Sequence, residues 1–346
     1  MEVRSMGQTD SLAASGDMAV ESIRALATAA SRVQLVSHID PDGDAIGSLL
    51  GLAWLLRAQG KTVLLTCDDA VPEPYGWLPG SEEIRPPSLA GPCPRDLLVC
   101  LDCSDLSRMG ELAQGLAGDA PVPLINIDHH VTNTLFGSVN LVDPGCVATA
   151  QLVLGLADAL GWEQTPSSAL CLLTGIVTDT RGLRTSNVDA QVLRAVLRLA
   201  ESGASLSEIT RRTLDQRPLN VVRLWGEAMG RLQLEDGVLW TEVSREMLAR
   251  WPSSQDGMTG LSNFLAGVQE ASIIAVFVER DDGRSVDVGL RAAPGYDVSG
   301  VAVRLGGGGH PQASGCTLRG DLQEVRERVL EEIRTTVAGQ SLWSGP

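Results

Sequence analysis

Histidine occurs four times in this 346-residue chain, each time in a short cluster of acidic residues or glycines. His38 lies in SHIDPDGDAIGS, His129 and His130 in NIDHHVTN, and His310 in GGGGHPQASG. The first cluster sets one imidazole and the carboxylates of Asp40, Asp42 and Asp44 within seven residues. A turn leading into a helix would use the same residues, with Asp44 capping a helix from Ala45 and with Pro41 and Gly43 in the turn. So much negative charge in one loop is costly without a cation, which tilts the reading toward a metal. After Asp128, adjacent histidines could give one ring to a metal and turn the other toward a substrate. Asp102, ending DLLVCLD, and Asp179, between Thr178 and Thr180, are weak signals singly. Together with the clusters they describe mixed imidazole and carboxylate ligands shared between two sites, a dinuclear centre for hard or borderline divalent cations.

The elements that must carry these residues alternate in type. Helix-like segments at Met18 to Ala30, Ala45 to Gln59, Leu106 to Leu116, Ala148 to Leu160 and Ser168 to Asp179 are interleaved with apolar strand-like runs. Those runs are Val33 to Val36, Thr62 to Thr66, Leu97 to Leu101 and Leu124 to Ile127. The pattern predicts an α/β domain with a doubly wound parallel sheet, whose ligands bind beyond the carboxyl ends of the strands. His38, Asp102 and Asp128 to His130 each follow a strand, so three strand ends are expected to converge. From about Arg231 the texture changes to strand-like runs, a DDG hairpin signal at Asp281 to Gly283 and helices near Gly260 to Gly267 and Leu322 to Val337. This predicts a smaller α/β domain with a mixed sheet. The expected boundaries are a disordered tail over 1–17, a catalytic domain over 18–190, a helical connector over 191–224, a substrate-binding domain over 225–338 and a tail over 339–346.

Composition narrows the function. The net charge of −16 opposes counterion-release binding of long nucleic acid, so any nucleic acid substrate is expected to be short and no long duplex is expected. Seven cysteines at irregular positions suggest reduced, mostly buried thiols. Cys100 and Cys103 form a C-x-x-C pair without a second pair or a histidine at metal-site spacing. No leader and no long apolar run is read, which implies a cytoplasmic protein off the membrane. Walker-type and G-x-S-x-G motifs are missing. Aromatic residues are few, with Tyr75, Trp77 and Tyr296 near loops.

HIDPDGDAIGS, LDCSD, DHHVTN and TGIVTDT, in that order, resemble the four motifs of the DHH phosphoesterases. GGGGHPQASG resembles the signature of the DHH-associated C-terminal domain. The resemblance implies that His38 and Asp42 bind one Mn²⁺, that Asp44, His129 and Asp179 bind a second, and that Asp102 bridges them, with Mg²⁺ or Co²⁺ as substitutes. It implies a catalytic group of Asp102, His130 at the scissile phosphate and Asp128 orienting a ligand from behind, while Asp40 need not touch metal. Arg108 and Asn133 fit positions that would touch substrate, and Arg291 resembles the family arginine that holds a terminal phosphate. The run Gly306, Gly307, Gly308 and Gly309 reads alone as a loop or tight turn. Beside a dinuclear centre it reads as a backbone N–H cradle for phosphate, with His310 donating to the same group.

Within the family the glycine-rich signature argues against the manganese-dependent inorganic pyrophosphatases, and 346 residues leave no room for the added domains of RecJ-type exonucleases. The chain resembles the short two-domain nanoRNases, the NrnA-like proteins. This implies hydrolysis of oligonucleotides of a few residues to mononucleotides and dephosphorylation of 3′-phosphoadenosine 5′-phosphate. The alternatives are a RecJ-like single-strand exonuclease, a phosphodiesterase of linear or cyclic dinucleotides such as pApA or c-di-AMP, and, remotely, a nucleotide-binding regulator without turnover. A homodimer is compatible with the sequence. The domain joint suggests closure that brings His310 toward His130.

Overall fold

In the computed structural model, residues 6–90, 95–114, 122–252 and 256–337 are described. The chain divides into two compact units, Met1–Gln216 and Arg217–Pro346. The first runs α1 (Met6–Ala29), β1 (Arg32–Val36), α2 (Gly43–Ala58), β2 (Thr62–Thr66), α3 (Pro87–Ala90), β3 (Leu97–Leu101), α4 (Glu111–Gln114), β4 (Leu124–Asp128) and β5 (Val139–Val142), then α5 (Thr149–Leu160), α6 (Pro166–Asp179), α7 (Ala190–Glu201) and α8 (Leu206–Thr210). A π-helical turn, Arg211–Asp215, closes it. The sheet is wholly parallel, in the order β2-β1-β3-β4-β5. Strands this apolar are buried on both faces, as parallel strands covered by helices must be: every residue of β3 is buried.

The order of the strands reverses between β1 and β3, and at such a switch point the loops leave a crevice at the carboxyl edge. The loops after β1, β3 and β4 carry His38, Asp102 and His129, which therefore meet there.

Differences from the sequence reading have local causes. Helix α1 begins at Met6, so residues 6–17, expected as a tail, are helical; the stretch contains no proline to stop the turn from extending. Residues 1–5 and the expected tail over 339–346 lie outside the described residues, as does Cys93. Within Leu106 to Leu116 the structure has a 3₁₀ turn at Leu106–Met109 and the short α4, separated by Gly110 at φ 64°. The expected connector belongs to both units. Val192, Val196, Leu199 and Ile209 bury themselves in the first core, whereas Leu224 joins the second.

The second unit runs α9 (Leu219–Met229), β6 (Gln233–Glu235), β7 (Val238–Val243), α10 (Arg245–Arg250), α11 (Asp256–Leu265), β8 (Ile273–Glu279), β9 (Ser285–Ala292), α12 (Ser299–Arg304), β10 (Gly308–His310), β11 (Ala313–Arg319) and α13 (Leu322–Val337). Its six strands form a mixed sheet, β10-β11-β9-β8-β7-β6, in which only β7 and β8 pair in parallel. Alternate residues of β8 and β9 point into different surroundings, as period-2 geometry requires. Ile273, Ala275, Phe277, Val286, Val288 and Leu290 enter one cluster with α12 and α13. Ile274 and Val276 enter another with α9 and α11.

Candidate active site

Helix α2 starts at Gly43, and Asp42 is its N-cap: Oδ1 accepts from the backbone N–H of Asp44 and Ala45, each at 3.0 Å. The cap is thus Asp42 and not Asp44, which a plain turn-and-helix reading would use. Asp44 is needed elsewhere, because Ala148 at the N-cap of α5 has no side chain to offer. The buried Asp44 carboxylate accepts from the N–H groups of Thr149 at 2.5 Å and Ala150 at 3.0 Å, so it closes the first turn of α5 from a distance. Two positive helix ends therefore face the carboxylates.

Among the described residues, the donor atoms fall into three overlapping groups that could hold a metal ion: His38, Asp42 and Asp102; Asp44, His129 and Asp179; Asp102, His129 and His130. His38 Nε2 lies 3.5 Å from Asp102 Oδ2 and 3.9 Å from Asp42 Oδ1. His129 Nε2 lies 3.5 Å from Asp179 Oδ2, 3.7 Å from Asp102 Oδ1 and 3.9 Å from Asp44 Oδ2. Separations of this size suit donors converging on a common ion through bonds of about 2.1 Å. Asp102 belongs to both sets, one oxygen toward each histidine, and Thr149 Oγ1 donates to its Oδ1 at 2.8 Å. Its backbone stands at φ 62°, a conformation a non-glycine residue adopts at a cost and one that recurs at functional sites.

The tautomers fit ligation. His38 Nδ1 lies 2.7 Å from Ile39 O, which can only accept, and 3.0 Å from Arg108 Nη2, which can only donate, so one tautomer cannot bond both; the shorter contact, to Ile39 O, goes with a proton on Nδ1 and the Nε2 lone pair toward the carboxylates. His129 is set the same way by Cys146 O at 3.3 Å. The charges point to the same need. Burial, then the charges of Asp102, Asp179 and Asp42, push the Asp44 carboxyl well above its ordinary range. Burial also raises Asp179, less its attraction to His129, to about 7. Burial would raise Asp102 too, but the adjacent His38, followed by His129 and His130, holds it well below the usual range. Like charges packed this closely want cationic neutralisation, so the residues fit divalent metal ions. Asp40 is in none of the groups; it is exposed, at φ 52°, with its N–H bonded to Asp69 Oδ2.

His130 differs from His129 in its partner. Its Nδ1 lies 2.7 Å from Asp128 Oδ1 and 3.6 Å from Asp102 Oδ1, so the short bond to Asp128 occupies that nitrogen and Nε2 is on the far side of the ring. Burial lowers the imidazole, but Asp128, Asp102 and Asp179 outweigh it and bring it to about 9. Asp128 is fully buried, and its second oxygen accepts from Asn133 Nδ2 at 2.6 Å.

Asn133, expected to touch substrate, makes its hydrogen bonds within the protein. Nδ2 donates to Asp128 and to Cys103 O, while Oδ1 accepts from Asn126 Nδ2 and from Leu135 N. An amide has four hydrogen-bonding positions, and all four are taken inside the protein. Asn133 braces Asp128. Arg108 does reach the centre, with Nη2 3.0 Å from His38 Nδ1 and its carbonyl accepting from Ile39 N.

In the second unit, the glycine run is partly a strand. Residues 308, 309 and 310 of β10 pair with 315, 314 and 313 of β11, and Ala313 pairs in turn with Arg291 of β9. His310, Ala313 and Arg291 therefore share a face of the sheet, with Gly308, Gly315 and Gly289 in the adjacent row. Between His310 and Arg291 this face carries almost no side chain. Arg291 is oriented by Asn263 Oδ1, which accepts from its Nε at 2.7 Å.

Thr149 and Asn263 were not read from the sequence. An alanine directly before a helix, as in VATAQ, was the available sign that a distant side chain caps α5. For Asn263 no sign existed.

The parallel sheet with its imidazole–carboxylate centre, followed by a mixed-sheet unit carrying a glycine-rich edge, defines a class. Residues 32–176 match the DHH family, N-terminal domain, and residues 249–339 match the DHHA1 domain. The chain belongs to the DHH phosphoesterase family. It is 39% identical over 305 residues to the bifunctional oligoribonuclease and PAP phosphatase NrnA of Thermus thermophilus, a match covering 87% of this chain and 89% of that protein. To the protein of the same name from Bacillus subtilis it is 25% identical over 305 residues, covering 86% and 92%. An exopolyphosphatase-related protein from Bacteroides fragilis shares the fold with a TM-score of 0.86 at 24% identity, covering 93% of this chain and 98% of that one. RecJ from Thermus thermophilus, solved with Mn²⁺, gives a TM-score of 0.54 at 14% identity, covering 94% of this chain and 55% of RecJ.

Proposed function

We propose that this chain is a Mn²⁺-dependent phosphoesterase that hydrolyses oligonucleotides of a few residues to mononucleotides and removes the 3′ phosphate from 3′-phosphoadenosine 5′-phosphate. The observation that carries this reading is Asp102, with one oxygen toward His38 and the other toward His129, each imidazole with further carboxylates of its own. The names of the NrnA relatives support the substrate class. His38, Asp42 and Asp102 would hold one ion, and Asp44, His129, Asp179 and Asp102 the other. Two divalent ions supply positive charge to the phosphoryl oxygens and make water a stronger acid.

The protein's own groups do the rest. Ile39 O and Cys146 O keep both ligand imidazoles in the tautomer that presents Nε2. Thr149 Oγ1 fixes the rotation of Asp102. His130, charged through Asp128, donates from its outer nitrogen to a phosphoryl oxygen, while Nδ1 keeps its proton in the hydrogen bond it donates to Asp128. Arg108 adds positive charge beside His38. The N–H groups of Gly306 and Gly307, expected in a phosphate cradle, instead donate to Val303 O and Ala302 O at the end of α12; in this reading His310, the glycine edge at Gly308 and Gly309, and Arg291 hold the far end of the substrate, Arg291 through its bidentate fork.

Purified protein with Mn²⁺ is expected to degrade a labelled dinucleotide faster than a 20-mer, and Asp102→Ala to abolish this while the protein stays folded by circular dichroism. Equal rates on dinucleotide and long single strands would replace this reading with a RecJ-like one.

A further inference from the structure

Helix α6 is followed, after its C-cap Thr180, by three consecutive residues with left-handed backbone, Arg181 (φ 50°), Gly182 (φ 77°) and Leu183 (φ 65°). Glycine adopts this conformation freely; arginine and leucine do so at a cost. The turn is fully bonded. Arg181 N donates to Thr178 O, Gly182 N to Val177 O, Leu183 N to Thr180 Oγ1, and Arg184 N to Thr180 O. Leu214, in the π-helical turn, packs 3.2 Å from where a Gly182 β-carbon would stand, and Arg212 beside it lies over the Trp77 ring at 4.5 Å. The backbone of Arg181 is thus held from several sides, two residues beyond Asp179.

Its guanidinium is not held. Arg181 is partly buried, and among the described residues no carboxylate, carbonyl or ring partners its side chain. Asp179, the nearest acid in sequence, is turned inward to His129. Arg184 adds like charge that outweighs the attraction of Asp179, and its Nε is bonded to Arg181 O. A half-buried cation with no hydrogen-bonded or ion-paired partner among the described residues, kept at a strained position beside a phosphoryl-transfer centre, is costly unless an anion arrives from outside.

We propose that Arg181, supported by Arg184, is a specificity-determining anion subsite on the catalytic unit that binds a second phosphate group of the substrate. This rests on the phosphoesterase reading. It selects substrates that carry a phosphate besides the one cleaved, such as a 5′-phosphorylated dinucleotide or a nucleoside bisphosphate.

The test compares a 5′-phosphorylated dinucleotide with bis(p-nitrophenyl) phosphate, which has a single phosphate, in Mn²⁺ with wild type, Arg181→Gly and Arg181→Lys. Glycine suits the backbone at this position, so Arg181→Gly is expected to keep its Tm. It should raise KM for the dinucleotide roughly tenfold or more, the usual effect of losing a charged hydrogen bond, and move kcat and the one-phosphate substrate far less. Arg181→Lys should recover part of the loss. Equal KM changes on both substrates, or none on either, overturn the subsite while the phosphoesterase reading stands. If wild type cleaves neither substrate, the phosphoesterase reading falls and the subsite with it.

Discussion

Asp128 is the most buried of the site carboxylates and accepts from three groups: His130 Nδ1, His129 N and Asn133 Nδ2. It is a hub that fixes one imidazole toward substrate, and Asn133 holds it in place. Removing that amide leaves a buried carboxylate oxygen without its donor. Asn133→Ala is therefore expected to cost about 1–3 kcal/mol in urea unfolding and to lower kcat with KM nearly unchanged. A raised KM at unchanged stability would instead return Asn133 to the substrate surface. The pattern NIDHHVTN displays these residues in sequence, but the four bonds of Asn133 arise only when β4 and the loops after β3 and β4 are folded together.

Helices α2 and α6 bring Asp44 and Asp179 to one place, and glycines set how closely they approach. A β-carbon on Gly47 would stand 2.6 Å from Cys171 O and 2.7 Å from Gly175 N. Both are backbone atoms, so relief requires a whole helix to shift. Gly47→Ala gains about 1 kcal/mol of helix propensity, but overpacking costs about 1–3 kcal/mol or more, and the clash is expected to win. The variant should show a lower Tm and weaker activation by Mn²⁺, because its ligand helices are spread apart; a raised Tm would refute close packing as the determinant. In the second unit the glycines are not equivalent. A β-carbon on Gly307 would meet Gly315 O at 2.1 Å, whereas one on Gly308 meets nothing within 4 Å. Gly308→Ala is expected to fold with wild-type Tm yet raise KM for the dinucleotide severalfold, and an unchanged KM would move the substrate off this edge.

At the scale of the molecule, the two units have separate cores, and the concentrated negative charge lies in the first. Without metal, Asp44 and Asp179 have pKa values raised above those of the unfolded chain. Their contribution is complete below about pH 4 and is lost as pH rises, for Asp179 through about 7. His130 is likewise raised, and its contribution fades from its ordinary range up to about 9. Asp102 works in the opposite sense, but its loss falls at much lower pH. The Tm of metal-free protein is thus expected to fall between pH 5 and 9, and saturating Mn²⁺ to flatten the profile through binding to the folded state. A metal-free Tm that rises across this range would contradict the charge crowding. No helix among the described residues is long and apolar enough to cross a membrane.

Sequence alone determined the alternation that makes the parallel sheet, the strand-end positions of His38, Asp102 and His129, and the order of the five motifs. These features are local in the chain, written in periodicity and in residues adjacent to one another. Only the tertiary structure decided that Asp42 caps α2 while Asp44 caps α5, that Thr149 holds Asp102, that Asn263 aims Arg291 and that Asn133 faces inward. Each of these depends on a partner distant in sequence. A polar side chain is committed by whichever unsatisfied backbone or carboxylate group the folded neighbours bring within about 3 Å of it.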